Sequence, residues 1–209
     1  MKERHILFSA QMVRAILDGR KTQTRRVVKP RPDDDAIITV GEIGTSRGAA
    51  YVRYPESGGL CGRLPCPYGA PGDRLWVRET CRAMRMPSQG WGVRYLADLA
   101  WRPFAEAEEM QWYGKRASPA ATINTVPAIH MPRWAARINL VITAVRVERL
   151  QDISIADAIA EGVGIRCDSP MAVMEYSLLW ESINGRGSWD ANPWVWVIEF
   201  IKIKPESNK

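Results

Sequence analysis

Met12-Val13-Arg14-Ala15-Ile16-Leu17-Asp18-Gly19-Arg20-Lys21-Thr22-Gln23-Thr24-Arg25-Arg26-Val27-Val28 contains a helix, its stop and a basic run. Ser9 can cap a helix from about Ala10 to Asp18, with Met12, Val13, Ile16 and Leu17 on one stripe. Gly19 suits the left-handed position that ends such a helix. The next residues are polar and basic until Val27 and Val28, and Pro30 follows. Upstream, His5 to Phe8 reads as a short strand.

Outward from there, strands dominate. Pro71-Gly72-Asp73 is a turn signal before Arg74 to Thr80, which alternates, with Leu75 and Val77 on one side and Trp76 and Arg78 on the other. Arg137 to Leu150 is the best strand, with Ile138, Leu140, Ile142, Ala144 and Val145 in near alternation. The 30–72 stretch is rich in Pro, Gly, Asp and Arg. It reads as loop apart from short strands at Ile37 to Val40 and Ala49 to Tyr54.

Ser154 and Asp157 form a capping box, with Asp in the Glu place, for a short helix that stops at Glu161-Gly162. Ser169-Pro170 starts a longer helix through Met174, Leu178 and Trp180 to Ile183, ending at Asn184-Gly185. Trp194 to Ile203 is the last strand, and the Lys204 to Lys209 tail reads as frayed. Residues 82–136 hold Trp91, Trp101, Trp112 and Trp134 among Pro and Arg. They read as a large irregular insertion with a short helix at Glu106 to Trp112. The expectation is one α+β domain over 1–209, a small mixed β-barrel with two or three flanking helices.

At 209 residues the chain can bury a core without disulfide or metal staples. No apolar run approaches the roughly 18 residues of a membrane helix, and Met1 to Phe8 is too charged for a signal peptide. A cytoplasmic protein with no membrane partner is expected. Lys plus Arg is 29 against 23 Asp plus Glu, for a net +6, and 22 of the cations are Arg. Arg suits phosphates and base edges, and 9 Trp supply stacking surface, a composition that fits a nucleic-acid binder. Core Trp and solvated surface Arg would give the same count. Cys61, Cys66 and Cys81 leave a zinc site conceivable, but tight paired knuckles are absent, so buried or loop thiols are the plainer reading.

Arg20, Lys21, Thr22, Thr24, Arg25 and Arg26 form the first chemical candidate. Four cations and two hydroxyls in seven residues can grip a phosphate or carbonyl oxygen. A desolvated Lys among cations can lose its proton and act as a base, and a neighbouring Thr can then become a nucleophile. In a straight strand Lys21 and Thr24 point to opposite faces, so they meet only if the segment turns. A basic surface loop past a helix C-terminus is the plain alternative. Glu161 sits at a helix end, unfavourable for a carboxylate, so it has a partner elsewhere or is simply solvated. Glu79, near Arg74 and Arg78, is a buried ion-pair member or a site acid. His5 and His130 are isolated.

Gly19-Arg20-Lys21-Thr22-Gln23-Thr24-Arg25, behind Met12 to Asp18, resembles the N-terminal signature of the ASCH-domain family. Pro71-Gly72-Asp73-Arg74-Leu75-Trp76-Val77-Arg78-Glu79 is similar to its second signature, a turn and strand at the barrel. Ile129-His130-Met131-Pro132-Arg133-Trp134-Ala135 and Asn192-Pro193-Trp194-Val195-Trp196 resemble the longer phage and prophage members. The resemblance implies a PUA-like barrel. It implies a Lys-Thr-Glu site like that of the family's small 4-acetylcytidine amidohydrolases, with Lys21, Thr24 and Glu161 in those roles. Arg20, Thr22, Arg25, Arg26, Trp76, Arg78 and Glu79 are the expected binding residues. The implied function is a hydrolase of amidohydrolase type acting on a modified nucleoside or nucleic-acid base. The alternative is an RNA- or DNA-binding module or a ribonuclease. The expected partner is a modified nucleoside or RNA, with DNA also open, and no cofactor or metal is called for.

Overall fold

A computed structural model describes residues 1–32, 37–40, 49–53, 60–105, 109, 111–112, 124–164 and 170–203. In chain order the elements are β1 (Glu3–Leu7), α1 (Ala10–Leu17), β2 (Gln23–Val27), β3 (Ile37–Val40), β4 (Ala49–Arg53) and β5 (Leu60–Pro65). Then come β6 (Arg74–Arg78), β7 (Cys81–Met86), β8 (Gly90–Tyr95), β9 (Trp101–Pro103), β10 (Asn124–Val126) and β11 (Asn139–Arg149). The chain ends with α2 (Ile155–Ala160), α3 (Met171–Asn184) and β12 (Trp194–Ile203). The fold is α+β. The 204–209 tail, Cys167 and most of the expected Glu106 to Trp112 helix lie outside the described residues.

The main sheet has five strands in the order β1-β6-β11-β12-β2. The expected barrel is not closed. β1 and β2 are the two edges, and no pairing among the described residues joins them. β2 instead turns its outer edge toward α2, where the neighbouring Thr22 N–H donates to Ala160 O at 2.9 Å.

β12 is apolar on both sides because both faces are covered. Trp196, Ile198 and Phe200 pack with Met12, Val13 and Ile16 of α1. Val195 and Val197 pack with Ala158 of α2 and with Ala172, Tyr176 and Trp180 of α3. Of the apolar residues expected on α3, Trp180 is buried, whereas Met174 and Leu178 stay more than half exposed. The α1 helix begins as expected, with Ser9 accepting from Met12 N–H, and Gly19 lies at φ 75° just past its end.

The break in β11 alternation has a structural cause. Ile142 pairs with Phe200 and Ala144 with Glu199, so Thr143 is a bulge. Before it, Leu140 and Ile142 face the α1 core; after it, Val145 and Val147 do. One extra residue reverses the parity of a strand. Arg146 and Glu148 thereby move to the α2–α3 side of the sheet.

The 82–136 region is more regular than expected. It holds a second sheet, in the order β10-β7-β8-β9, over its own core of Cys81, Val93, Tyr95, Val126, Met131 and Ala135. The third sheet, β3-β4-β5, includes a strand at Leu60–Pro65 where loop was expected.

Glu79, Arg137, Asp98 and Tyr95 lock the second core to the main sheet. The buried Glu79 carboxylate accepts two bonds from Arg137, at 2.8 and 2.9 Å. Arg137 also donates to Asp98 at 2.7 Å and stacks over the Tyr95 ring. Burial pushes Glu79 above the ordinary carboxylate range, and Arg137 pulls it back only in part. A raised carboxyl stabilises the fold at low pH, and that contribution fades as pH rises through its folded value. Arg137→Met leaves Glu79 buried without its cation and should lose about 3 kcal/mol at neutral pH. Urea titrations should show the gap to wild type narrowing as pH falls and Glu79 takes up its proton.

Candidate active site

Lys21 lies before β2, in the turn that wraps the end of α1, and so escapes the alternation of the strand. Lys21 N–H and Arg20 N–H both donate to Ala15 O, at 3.0 and 2.9 Å. Arg20 Nη1 reaches Gly162 O at 3.1 Å, beyond α2. The approach is close enough to require glycine: at Gly162, φ 85°, a Cβ would lie 2.9 Å from both Ala15 Cβ and Lys21 Cβ.

This contact sets Lys21 on the end of α2. Lys21 Nζ donates to Glu161 Oε2 at 2.7 Å and to the Glu161 carbonyl at 2.8 Å. The cation thus caps a helix C-terminus and neutralises the carboxylate that local rules disfavour there. Arg25 Nη1 takes the other carboxylate oxygen, Oε1, at 3.2 Å. Both Lys21 and Glu161 are buried, at 2% exposure each. Burial pulls Lys21 below the ordinary lysine value of 10.5; Glu161 pushes it back up, and Arg26 and Arg25 add to the lowering.

The charges extend past the expected set. Arg25 Nη2 also contacts Glu148 and, at 3.4 Å, Asp157. Arg146 binds Glu148 at 2.9 Å, Asp157 at 2.8 Å, and Glu199. Asp157 serves twice, since it also completes the capping box with Ser154. Sequence reasoning missed Arg146, Glu148, Asp157 as a charge partner, and Tyr176, whose ring lies 5.8 Å from the Arg25 guanidinium. The available signal was Arg146 and Glu148 inside the longest strand.

A cavity of about 40 Å³ adjoins this cluster. Thr24, Arg25, Arg26 and Glu161 line one side, and Tyr176 and Trp180 of α3 line another. It lies along the open edge of β2. Phe200 N–H donates to Thr22 O and Val28 N–H donates to Trp194 O. Within β2, Thr24 and Arg26 therefore face β12, and Gln23, Arg25 and Val27 turn their N–H and C=O groups to the outer edge.

Of the expected catalytic residues, Thr24 and Glu161 share the cavity wall, and Lys21 stands behind Glu161. Among the expected binding residues, Arg25 and Arg26 line the cavity and Arg20 braces the Lys21 turn. Thr22 acts through its backbone, between Ala160 and Phe200. Trp76, Arg78 and Glu79 are elsewhere. Trp76 stacks with Arg78 at 4.7 Å, Arg78 donates to Ile129 O, and Glu79 pairs with Arg137.

Cys66 and Cys81 are free thiols in different cores, and burial pushes Cys81 up to about 12. The Cys61 side chain is outside the described residues, among which no cluster of three His, Cys, Asp or Glu could hold a metal. No helix among the described residues is long and apolar enough to cross a membrane. No family model, curated protein or solved structure matches the chain.

The two partners of the ion pair should respond unequally. Glu161→Ala strips the shared anion from Lys21 and Arg25 and should destabilise by about 3–5 kcal/mol in urea unfolding. Lys21→Met leaves Glu161 with Arg25 and should cost about half as much or less.

Proposed function

We propose that the protein is a hydrolase of amidohydrolase type that removes an acyl group from the amine of a modified nucleoside or nucleic-acid base. One observation carries this reading: Thr24 and Glu161 meet in one cavity wall, with the buried Lys21 bound to Glu161. The ASCH-like, PUA-like interpretation of the fold belongs to the same proposal. It is supported by the order of helix, basic turn and β2, and by the Pro71 to Glu79 turn and strand in the same sheet.

The chemistry follows from the layout. Thr24 Oγ attacks the acyl carbonyl carbon, and its proton is taken up by Lys21 in its neutral form. Glu161 faces both the cavity and Lys21, and passes protons between them. Arg25 and Arg26 also line the cavity and would stabilise negative charge developing on the carbonyl oxygen. The tetrahedral intermediate collapses, the C–N bond breaks, and the amine leaves with the stored proton. Water then cleaves the acyl-threonine ester to give the free acid and Thr24. The cavity is about 40 Å³, a size for an acyl group and water rather than for a whole nucleoside. The base would lie at its mouth, against the outward N–H and C=O groups of β2.

The test is acid release from 4-acetylcytidine, a panel of N-acylated nucleosides and a short RNA carrying 4-acetylcytidine. Wild type should release acid, and Thr24→Ala and Lys21→Ala should each lose at least about 100-fold. No release by wild type across the panel overturns the hydrolase reading and leaves a binding protein or a ribonuclease. The pH profile adds a second readout. The limb that rises as Lys21 loses its proton should lie below 10.5. Glu161 holds the Lys21 value up, so residual activity in Glu161→Gln should show that limb at still lower pH.

A further inference from the structure

The register of β10, β7, β8 and β9 puts Thr125, Arg82, Arg94 and Trp101 in one row across the second sheet. Their sequence neighbours Cys81, Val93 and Tyr95 point into the core, so this row occupies the opposite face. Arg82 and Arg94 are directly paired across β7 and β8. Like charges so placed destabilise a strand pair unless something lies between them. Among the described residues no carboxylate lies within ion-pair distance of either. Arg82 Nε donates to Thr125 Oγ1 at 3.1 Å, which steadies the guanidinium and leaves its terminal nitrogens for another acceptor.

An aromatic surface completes the row. Gly92 pairs with Met84 on one side and Pro103 on the other, on the same face. A Cβ at Gly92 would come 2.5 Å from Trp101 Cζ2, so the indole leans across the sheet in space that only glycine leaves.

We propose that this face binds a single-stranded polynucleotide, with phosphates on Arg82 and Arg94 and a base against Trp101. Two unneutralised cations call for a polyanion, and an adjoining ring selects one that carries flat bases. Neighbouring strands are about 4.8 Å apart, so the row offers charge and stacking surface over about 10 Å. Combined with the proposed hydrolase, it makes the substrate a base carried in a strand; the binding itself rests only on the second sheet.

The experiment is fluorescence anisotropy with a labelled, unstructured RNA of about 12 nucleotides and the DNA of the same sequence. Wild-type affinity should fall linearly in log–log form with salt. Arg82→Ala/Arg94→Ala should make that slope shallower by about 1.4, which is about 0.7 per phosphate contact. Trp101→Ala should weaken binding about tenfold at unchanged slope, and Trp101→Phe should restore most of it. Tighter binding in either arm supports the proposal and names the preferred sugar. The proposal is overturned by an unchanged affinity and slope in the double Arg variant, or by poly-glutamate competing as well as unlabelled RNA. Thr24→Ala should bind like wild type. Binding that persists when wild type releases no acid would therefore sink the hydrolase and leave this face standing.

Discussion

The Glu161 carboxylate is buried between two cations, and much of the structure follows from that arrangement. It stands at the end of α2, where the helix dipole opposes it. Two cations from one short segment, Lys21 and Arg25, each take one of its oxygens. That segment can reach it only because Gly162 lets the Lys21 backbone pass at contact distance. The pair therefore fixes the turn after α1, the position of α2 and the start of β2 together. The same enclosure that makes Glu161 hard to remove also draws Lys21 toward its neutral form. The stability of the pair and the lowered Lys21 value have one source.

The bulge at Thr143 is the second constraint. Without it, Arg146 and Glu148 would face the apolar core around Trp196 and Ile198, where neither could find a partner. With it, they join Arg25, Asp157 and Glu199 in a network of alternating charge. Every cation in that network touches at least one carboxylate, which is what makes burying so many charges tolerable. The network ties β2, β11, β12 and α2 together by their side chains as well as by their backbones.

Local signals were enough for the elements that surround the site. Ser9 and Gly19 bound α1, Ser154 and Asp157 start α2, and the odd placement of Glu161 pointed to a distant partner or to plain solvation. What stayed hidden depended on register. A bulge with no Gly or Pro at Thr143 leaves no mark beyond a lapse in alternation, so Arg146 and Glu148 were read as ordinary strand residues. The second sheet was hidden for another reason. Its core side begins with the small Cys81 and Ala83, while the other side carries Arg82, Met84 and Met86, so β7 has little hydrophobic contrast between faces. Trp76, Arg78 and Glu79 sat in a strand with a clear signature, yet their partners come from Arg137 and Ile129, distant in sequence.

The open sheet bears directly on the site. Closing a barrel through β2 would spend the outward N–H and C=O groups of Gln23, Arg25 and Val27 on another strand. Leaving β2 at an edge frees those groups, but an exposed edge invites pairing with other chains. Here α3 answers the hazard. Tyr176, Leu179 and Trp180 stand beside β2 and leave only a small cavity between. At about 40 Å³ the gap is too small for a strand to enter. Thr24 and Glu161 line the same opening.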